Sequence, residues 1–298
     1  MRAMRGAVQG VWPLRATSQG VGQSPTKARF GPKPRLCDMP TALTIAGSDS
    51  GAGAGIQADL KTFAAHGVYG VCAVTAVTAQ NTLGVMAVEA IGAGVVTAQI
   101  EAVVADFDIR AIKTGMLASR EIVAAICEVL EAGADIPLVV DPVIFGSTGD
   151  RLLDDDAVEL VRTRLLRRAR LVTPNRLEAE VLAGIPIVSL EDARRATGQI
   201  RARGVAAVVI TGGHFDGPES VDVLDDRGTV IELSGPRLVS RGTHGTGCTF
   251  AAAVTAALAR GQDLGDAVAG AKRYVEGAIR HAEPLGRGHG PVNHFWNE

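Results

Sequence analysis

From Pro40 onward the chain alternates short, β-rich apolar runs with longer helical patterns, and this alternation limits the fold more than any other feature. Runs at residues 42–47 (ALTIAG), 70–79 (GVCAVTAVTA), 111–115 (AIKTG), 137–143 (PLVVDPV), 171–174 (LVTP) and 206–213 (AAVVITGG) are predicted as buried strands. Between them, residues 55–67 set Ile56, Leu60, Phe63 and Ala64 on one helical face and stop at Gly67. Segments 96–107, 119–133, 154–169 and 189–204 behave likewise, the last opening on Ser189 with an acid three residues on, a capping-box variant. Strand and helix in turn predict an α/β, doubly wound, mostly parallel central sheet with helices on both faces. One stretch departs: residues 220–235 alternate with period two around an Asp-Arg-Gly turn and are predicted as a hairpin. Two helical segments, 246–260 and 265–282, close the chain.

A chain of 298 residues, 47% apolar and 21% charged, is long enough to bury a large core, and no internal shift in composition marks a linker. A single domain over 39–298 follows. Residues 1–38 differ: they hold seven basic residues against one acid, are rich in Gly, Pro, Ser and Gln, and show no sustained period. They read as a disordered tail, as a start assigned too early with Met39 the first residue, or, least well, as a targeting peptide. The remainder has 23 basic and 31 acidic residues, a net charge of -8, which argues against nucleic-acid binding. No uninterrupted apolar run is long enough for a membrane span. Four isolated cysteines without a CxxC pair suggest reduced thiols in a cytoplasmic protein.

In a doubly wound sheet, ligands bind beyond the carboxyl ends of the strands. The first such loop, AGSDSGAGAGIQAD, carries Gly51, Gly53 and Gly55, a spacing that is not the dinucleotide fingerprint. Its glycines serve either a close backbone approach or a positive φ. In RGTHGTGCTF, Gly245, Thr246 and Gly247 precede a run of strong helix formers, so their N–H groups form an anion cradle at a helix start. Cys248 falls in the first turn, where that field favours thiolate; as a lone thiol it can equally be a small packing residue. Asp141 closes one strand, and Asn175 with Glu178 opens a helix, offering oxygens to Mg²⁺ or forming an ordinary N-cap with an acid behind it.

Taken together, LTIAGSDSGAGAGIQADLKTFAAHGVYG, TAVTAQNT, KTGMLAS, VVDPV, TPNRLEAE, GTHGTGCTFAAA and GHGPVNHF resemble the ribokinase-like small-molecule kinases, and among them the hydroxymethylpyrimidine/phosphomethylpyrimidine kinases of thiamine biosynthesis. The resemblance covers nearly all of 40–298. It implies a ribokinase-like fold without a separate lid domain, a homodimer, and transfer of the γ-phosphoryl group of ATP, with Mg²⁺, to 4-amino-5-hydroxymethyl-2-methylpyrimidine and then to its monophosphate. By position it implies that Gln80 reads the pyrimidine, with Asp59 near the hydroxymethyl group and Gly47, Met116 and Val143 around the ring. Cys248 stands where many related sugar kinases carry an aspartate general base, with Gly245, Thr246 and Gly247 as the phosphate cradle. Asn175 and Glu178, with Asp141, would position Mg²⁺ through water. Thr211 and Gly213 would lie at the nucleotide.

Two departures stand out. The first glycine loop lacks a proline and one glycine of the family pattern, and Thr211 occupies a position where relatives often carry a phosphate-reaching lysine. Lys113 and Lys272 are the candidate substitutes for that cation. Competing functions are a pyridoxal or pyridoxine kinase, whose members share the cysteine loop, and a non-catalytic pyrimidine-binding regulator on the same scaffold.

Overall fold

Residue parity decides which layer each strand side chain enters. In the strand Leu138–Val140, Leu138 and Val140 belong to one core and Val139 to the other; in the strand Ala207–Ile210, Val208 and Ile210 oppose Ala207 and Val209. Apolar residues on both parities oblige the sheet to bury both faces, which is why these runs lack a polar face.

The computed structural model describes residues 35–146, 149–212 and 217–297. After a 3₁₀ turn at Leu36–Asp38, the strands are β1 (Thr41–Asp49), β2 (Tyr69–Asn81), β3 (Gly84–Ala90), β4 (Ile109–Thr114), β5 (Leu138–Val140), β6 (Leu171–Val172), β7 (Ala207–Ile210), β8 (Glu219–Asp226), β9 (Thr229–Pro236), β10 (Gly242–His244) and β11 (Gly290–Pro291). The helices are α1 (Gly55–Ala65), α2 (Ala93–Asp106), α3 (Arg120–Ala132), α4 (Asp155–Leu160), α5 (Leu166–Arg168), α6 (Arg176–Ala183), α7 (Leu190–Arg201), α8 (Thr246–Ala259) and α9 (Leu264–Arg280). A π-turn at Val161–Leu165 joins α4 to α5.

Among the described residues, nine strands form one sheet in the order β3-β2-β1-β4-β5-β6-β7-β8-β9. β2, β1, β4, β5, β6 and β7 run parallel, and β3, β8 and β9 are antiparallel additions at the two edges. α2, α3, α4, α6 and α7 supply the larger core on one face. On the other face α8, with ten buried residues that are mostly alanine, lets α1 and α9 approach the sheet closely.

The helices begin where the sequence provides caps. Ser119 accepts from the Ile122 N–H, and Ser189 from the Asp192 N–H at 3.1 Å. The Asp192 carboxylate returns to the Val188 N–H, one residue before the cap, so the box expected at Ser189 is displaced by one position. The hairpin closes on Arg227 and Gly228, both at positive φ, with Asp226 opposite Thr229. The apolar pattern missed β3, β10 and β11; most side chains of β3 are exposed, so it lacks the buried run that betrays the others. All six parallel strands present their carboxyl ends along one edge of the sheet, and the loops that carry the chemistry gather there.

Candidate active site

The start of α8 is bare. Its N-cap, Gly245, has φ +82°, and no side chain accepts from the first-turn N–H groups. Only glycine fits: besides the left-handed backbone, a Cβ there would run into the Gly53 carbonyl of the first glycine loop. Gly245, Thr246 and Gly247 therefore keep free donors at the positive end of a 14-residue helix, which suits a phosphate oxygen.

Cys248 follows and is half-buried. Burial, then the Asp141 and Asp59 carboxylates, push its thiol above the ordinary value, against the pull of Lys113 and the Gly55 N–H. This corrects the expectation of a helix-activated thiolate: the helix start is present, but desolvation and two carboxylates outweigh it. The resting group is the thiol, within hydrogen-bonding reach of Asp141.

Beneath it lies a buried ionic cluster. Lys113, on β4, is fully buried; its Nζ lies 3.0 Å from Asp59 and 3.7 Å from Asp141. Burial alone would favour its neutral form, but Asp59, Cys248 and Asp141 raise its pKa, so the ammonium persists. Asp59, on α1, is also fully buried and accepts from the Thr44 hydroxyl at 2.6 Å. Asp59 thus has no exposed surface and is bound to Lys113 and Thr44, and the Lys113 ammonium faces two carboxylates.

Asn175 and Glu178 form a complete capping box at the start of α6: the Glu178 N–H donates to Asn175 Oδ1 and the Asn175 N–H to Glu178 Oε2, each at 3.1 Å. Glu178 Oε1 also accepts from the Ile144 N–H at 3.0 Å. Burial and the nearby Asp141 nevertheless push the Glu178 carboxyl up to about 8. The ordinary reading of this pair as a helix cap is therefore realised. As a metal set the donors fit only in part: the box consumes one lone pair of each oxygen. Asp141 Oδ2, buried without a hydrogen-bond partner, faces Lys113, and no cluster of three His, Cys, Asp or Glu that could hold a metal ion occurs among the described residues.

The remaining candidates line the same edge. Gln80 is the penultimate residue of β2, inside the strand rather than after it. Gly47, buried in β1, abuts the Met116 side chain beyond β4. Val143, after β5, has φ +39°, a strained value for a β-branched residue of the kind found at binding sites. Thr211, after β7, pairs through an isolated bridge with Asn175, so it borders α6. Gly213 lies outside the described residues. Lys272, on α9, is held by Asp222 at 3.2 Å and by the Ser220 carbonyl at 3.0 Å; Asp222 also accepts from the Gly212 N–H at 2.7 Å. The ammonium thus sits one carboxylate away from the end of β7, already paired.

Two residues of the site escaped the sequence reading. Asp49 ends β1 and ties the first glycine loop by accepting from Gly51, Gly53 and Ala54 N–H groups. His244, in β10, reaches Asp49 at 3.0 Å and the Gln80 carboxamide at 3.2 Å. An aspartate two residues before a glycine is a recognisable turn signal, but nothing local to His244 indicates a partner 164 residues away.

A doubly wound sheet, a bare helix start with a cysteine in its first turn, and polar groups gathered at the strand ends define a ribokinase-like small-molecule kinase. The model of the phosphomethylpyrimidine kinase family matches residues 49–293. The chain belongs to that family. It is 50% identical over 257 residues to a hydroxymethylpyrimidine/phosphomethylpyrimidine kinase of Streptomyces coelicolor, covering 86% of this chain and 95% of that one. It is 47% identical over 255 residues to a thiamine biosynthesis bifunctional protein of Geobacter sulfurreducens, spanning 86% of this chain but only about half, 52%, of that longer protein. Among solved structures, the ADP complex of Bacillus subtilis pyridoxal kinase superposes with a TM-score of 0.80 at 37% identity, covering 86% of this chain and 98% of that one. Phosphomethylpyrimidine kinase of Clostridium difficile gives 0.72 at 42% identity, covering 80% and 99%.

Proposed function

We propose that this protein phosphorylates 4-amino-5-hydroxymethyl-2-methylpyrimidine and then its monophosphate, yielding the diphosphate used in thiamine biosynthesis. The observation that carries the reading is the uncapped start of α8 with Cys248 in its first turn, on the strand edge that also holds Gln80. ATP would supply the phosphoryl group, and Mg²⁺, when bound, would neutralise charge on the phosphates. The N–H groups of Gly245, Thr246 and Gly247 hold the phosphoryl oxygens. Cys248 takes the proton of the substrate hydroxyl as its own thiol proton passes to Asp141, whose pKa burial has raised. Lys113 offsets the charge of Asp59 and Asp141 beneath the incoming phosphates, and the spare lone pairs of Asn175 and Glu178 would hold the metal through water. Gln80 meets the ring, with Met116 and Val143 against its faces.

A pyridoxal kinase is the second reading, favoured by the higher TM-score of the Bacillus subtilis enzyme. Purified protein with Mg-ATP and a panel of the hydroxymethylpyrimidine, its monophosphate, pyridoxal and pyridoxine separates the two. Transfer to both pyrimidines is expected, and transfer to pyridoxal alone would overturn the first reading. We further infer a catalytic domain over residues 39–298 that works as a homodimer through the β2–β3 face. Leu83, Met86 and Val88 are exposed there, with Met86 and Val88 on one face of the strand pair, an apolar patch of the kind that a second copy covers.

A further inference from the structure

His244 has no part in the reading above, yet two turns of the site meet on it. β10 carries its imidazole against the first glycine loop so closely that any side chain at position 53 would strike the ring, which reserves Gly53 for that contact. Nε2 lies 3.0 Å from Asp49 Oδ2 and 3.2 Å from the carboxamide atom placed as Gln80 Nε2. Burial would raise the Asp49 carboxyl, but His244 and the Ala54 and Gly51 N–H groups hold it below the usual carboxylate range. An ionised carboxylate only accepts, so Nε2 carries a hydrogen. A ring N–H has nothing to offer an amide NH₂, so the carboxamide is turned end for end from that placement, with its carbonyl oxygen toward the ring. The other end agrees. The Thr78 hydroxyl lies 3.1 Å from the Ser48 carbonyl and 3.2 Å from the atom placed as Gln80 Oε1; its one proton, given to Ser48, leaves it to accept from the NH₂ of the turned carboxamide. One lone pair and one N–H remain on the carboxamide, in fixed order: acceptor toward His244, donor toward Thr78.

We propose that His244 is a positioning residue that locks the Gln80 carboxamide in one of its two orientations, so that the site reads the order of donor and acceptor along the edge of its ring substrate. This rests on the reading that Gln80 meets the pyrimidine. An aminopyrimidine presents an amino N–H beside a ring-nitrogen acceptor. Its 4-oxo analogue presents the reverse, a carbonyl acceptor beside a ring N–H. A locked amide pairs with the first and leaves buried polar groups opposed in the second, whereas an amide free to turn serves both.

The test compares kcat/KM for the hydroxymethyl aminopyrimidine and its 4-oxo analogue in the full chain and in the variants His244→Ala and Thr78→Val. The wild type should prefer the amino compound by at least about 100-fold. In each variant that ratio should fall at least about tenfold, through a raised KM for the amino compound with kcat held within about threefold. Thr78→Val, nearly isosteric, unlocks the opposite end of the amide and decides the matter should His244→Ala not fold. An unmoved ratio in the folded variants would overturn the proposal, since a merely structural role lowers turnover of both compounds together. Nitrogen NMR of the ligand-free protein gives a readout independent of turnover: His244 should carry its hydrogen on Nε2, and a ring protonated only on Nδ1 would sink the lock. Absence of transfer to either compound by the wild type would instead remove the pyrimidine reading, while the imidazole tautomer still decides the orientation of Gln80.

Discussion

Helices α8 and α6 start on the same edge of the sheet and treat their first N–H groups in opposite ways. α6 opens on Asn175, with the Asn175–Glu178 box closed in both directions. α8 opens on Gly245, a residue with no side chain to offer, in a left-handed conformation that only glycine holds easily. A capped start stabilises its helix and has few donors left. A bare start sacrifices that stability and keeps its donors for a ligand. The contrast separates anchoring from binding among residues that looked equivalent as strand-end motifs: the oxygens of the first helix face its own backbone, and the N–H groups of the second face outward. Charge follows the same division. Cys248 lies within hydrogen-bonding reach of Asp141 beside Lys113, whereas burial and Asp141 push the Glu178 carboxyl up to about 8.

The largest test falls on the bare end. Cys248→Ala should lower kcat by roughly 10² to 10⁴ with the fold retained by circular dichroism, and a loss below about tenfold would remove the thiol from proton transfer. On the capped end the expected effect is on stability. Asn175→Ala should cost about 1 kcal/mol in urea denaturation, within a range of roughly 0.5–2. A cost near zero would mean that α6 is held by packing rather than by its box.

The smallest effect concerns Glu178. Its carboxyl is raised in the folded chain, so its contribution to stability is fully present below the pKa of an unfolded glutamate and is lost as the pH rises through about 8. Glu178→Gln should therefore flatten the fall of Tm between pH 5 and pH 8, by roughly 2–4 °C for each kcal/mol removed. An unchanged slope in the variant would show that the titrating group lies elsewhere. Together these substitutions ask whether the two helix starts are as different in function as they are in geometry.

Much of the architecture was legible before any coordinates. Buried strands that face apolar layers on both sides must be nearly all apolar, so β1, β2, β4, β5, β6 and β7 announced themselves, and the Arg227–Gly228 turn announced the hairpin. β3 did not, because an exposed edge strand carries no comparable pattern. The glycines of the α8 start were legible as a cradle from their place before a run of helix formers. Asp59 and Lys113 were legible as candidate residues but not as partners of one another. Sequence gives a charge but not its exposure, and here the two charges are spent on one another beneath the site.

What the sequence by itself determined is local: strand and helix periodicity, turn glycines, the capping pattern at Asn175 and the position of a cysteine in a first helical turn, all set by backbone and side-chain chemistry within a few residues. What only the tertiary structure decided is long-range. Burial beside Asp141 and Asp59 turns the expected thiolate of Cys248 into a thiol, the meeting of β4 with α1 pairs Lys113 with Asp59, and the approach of β10 to β2 gives Gln80 a partner in His244. Desolvation and electrostatic coupling depend on distances between segments far apart in the chain, and no local pattern encodes those distances.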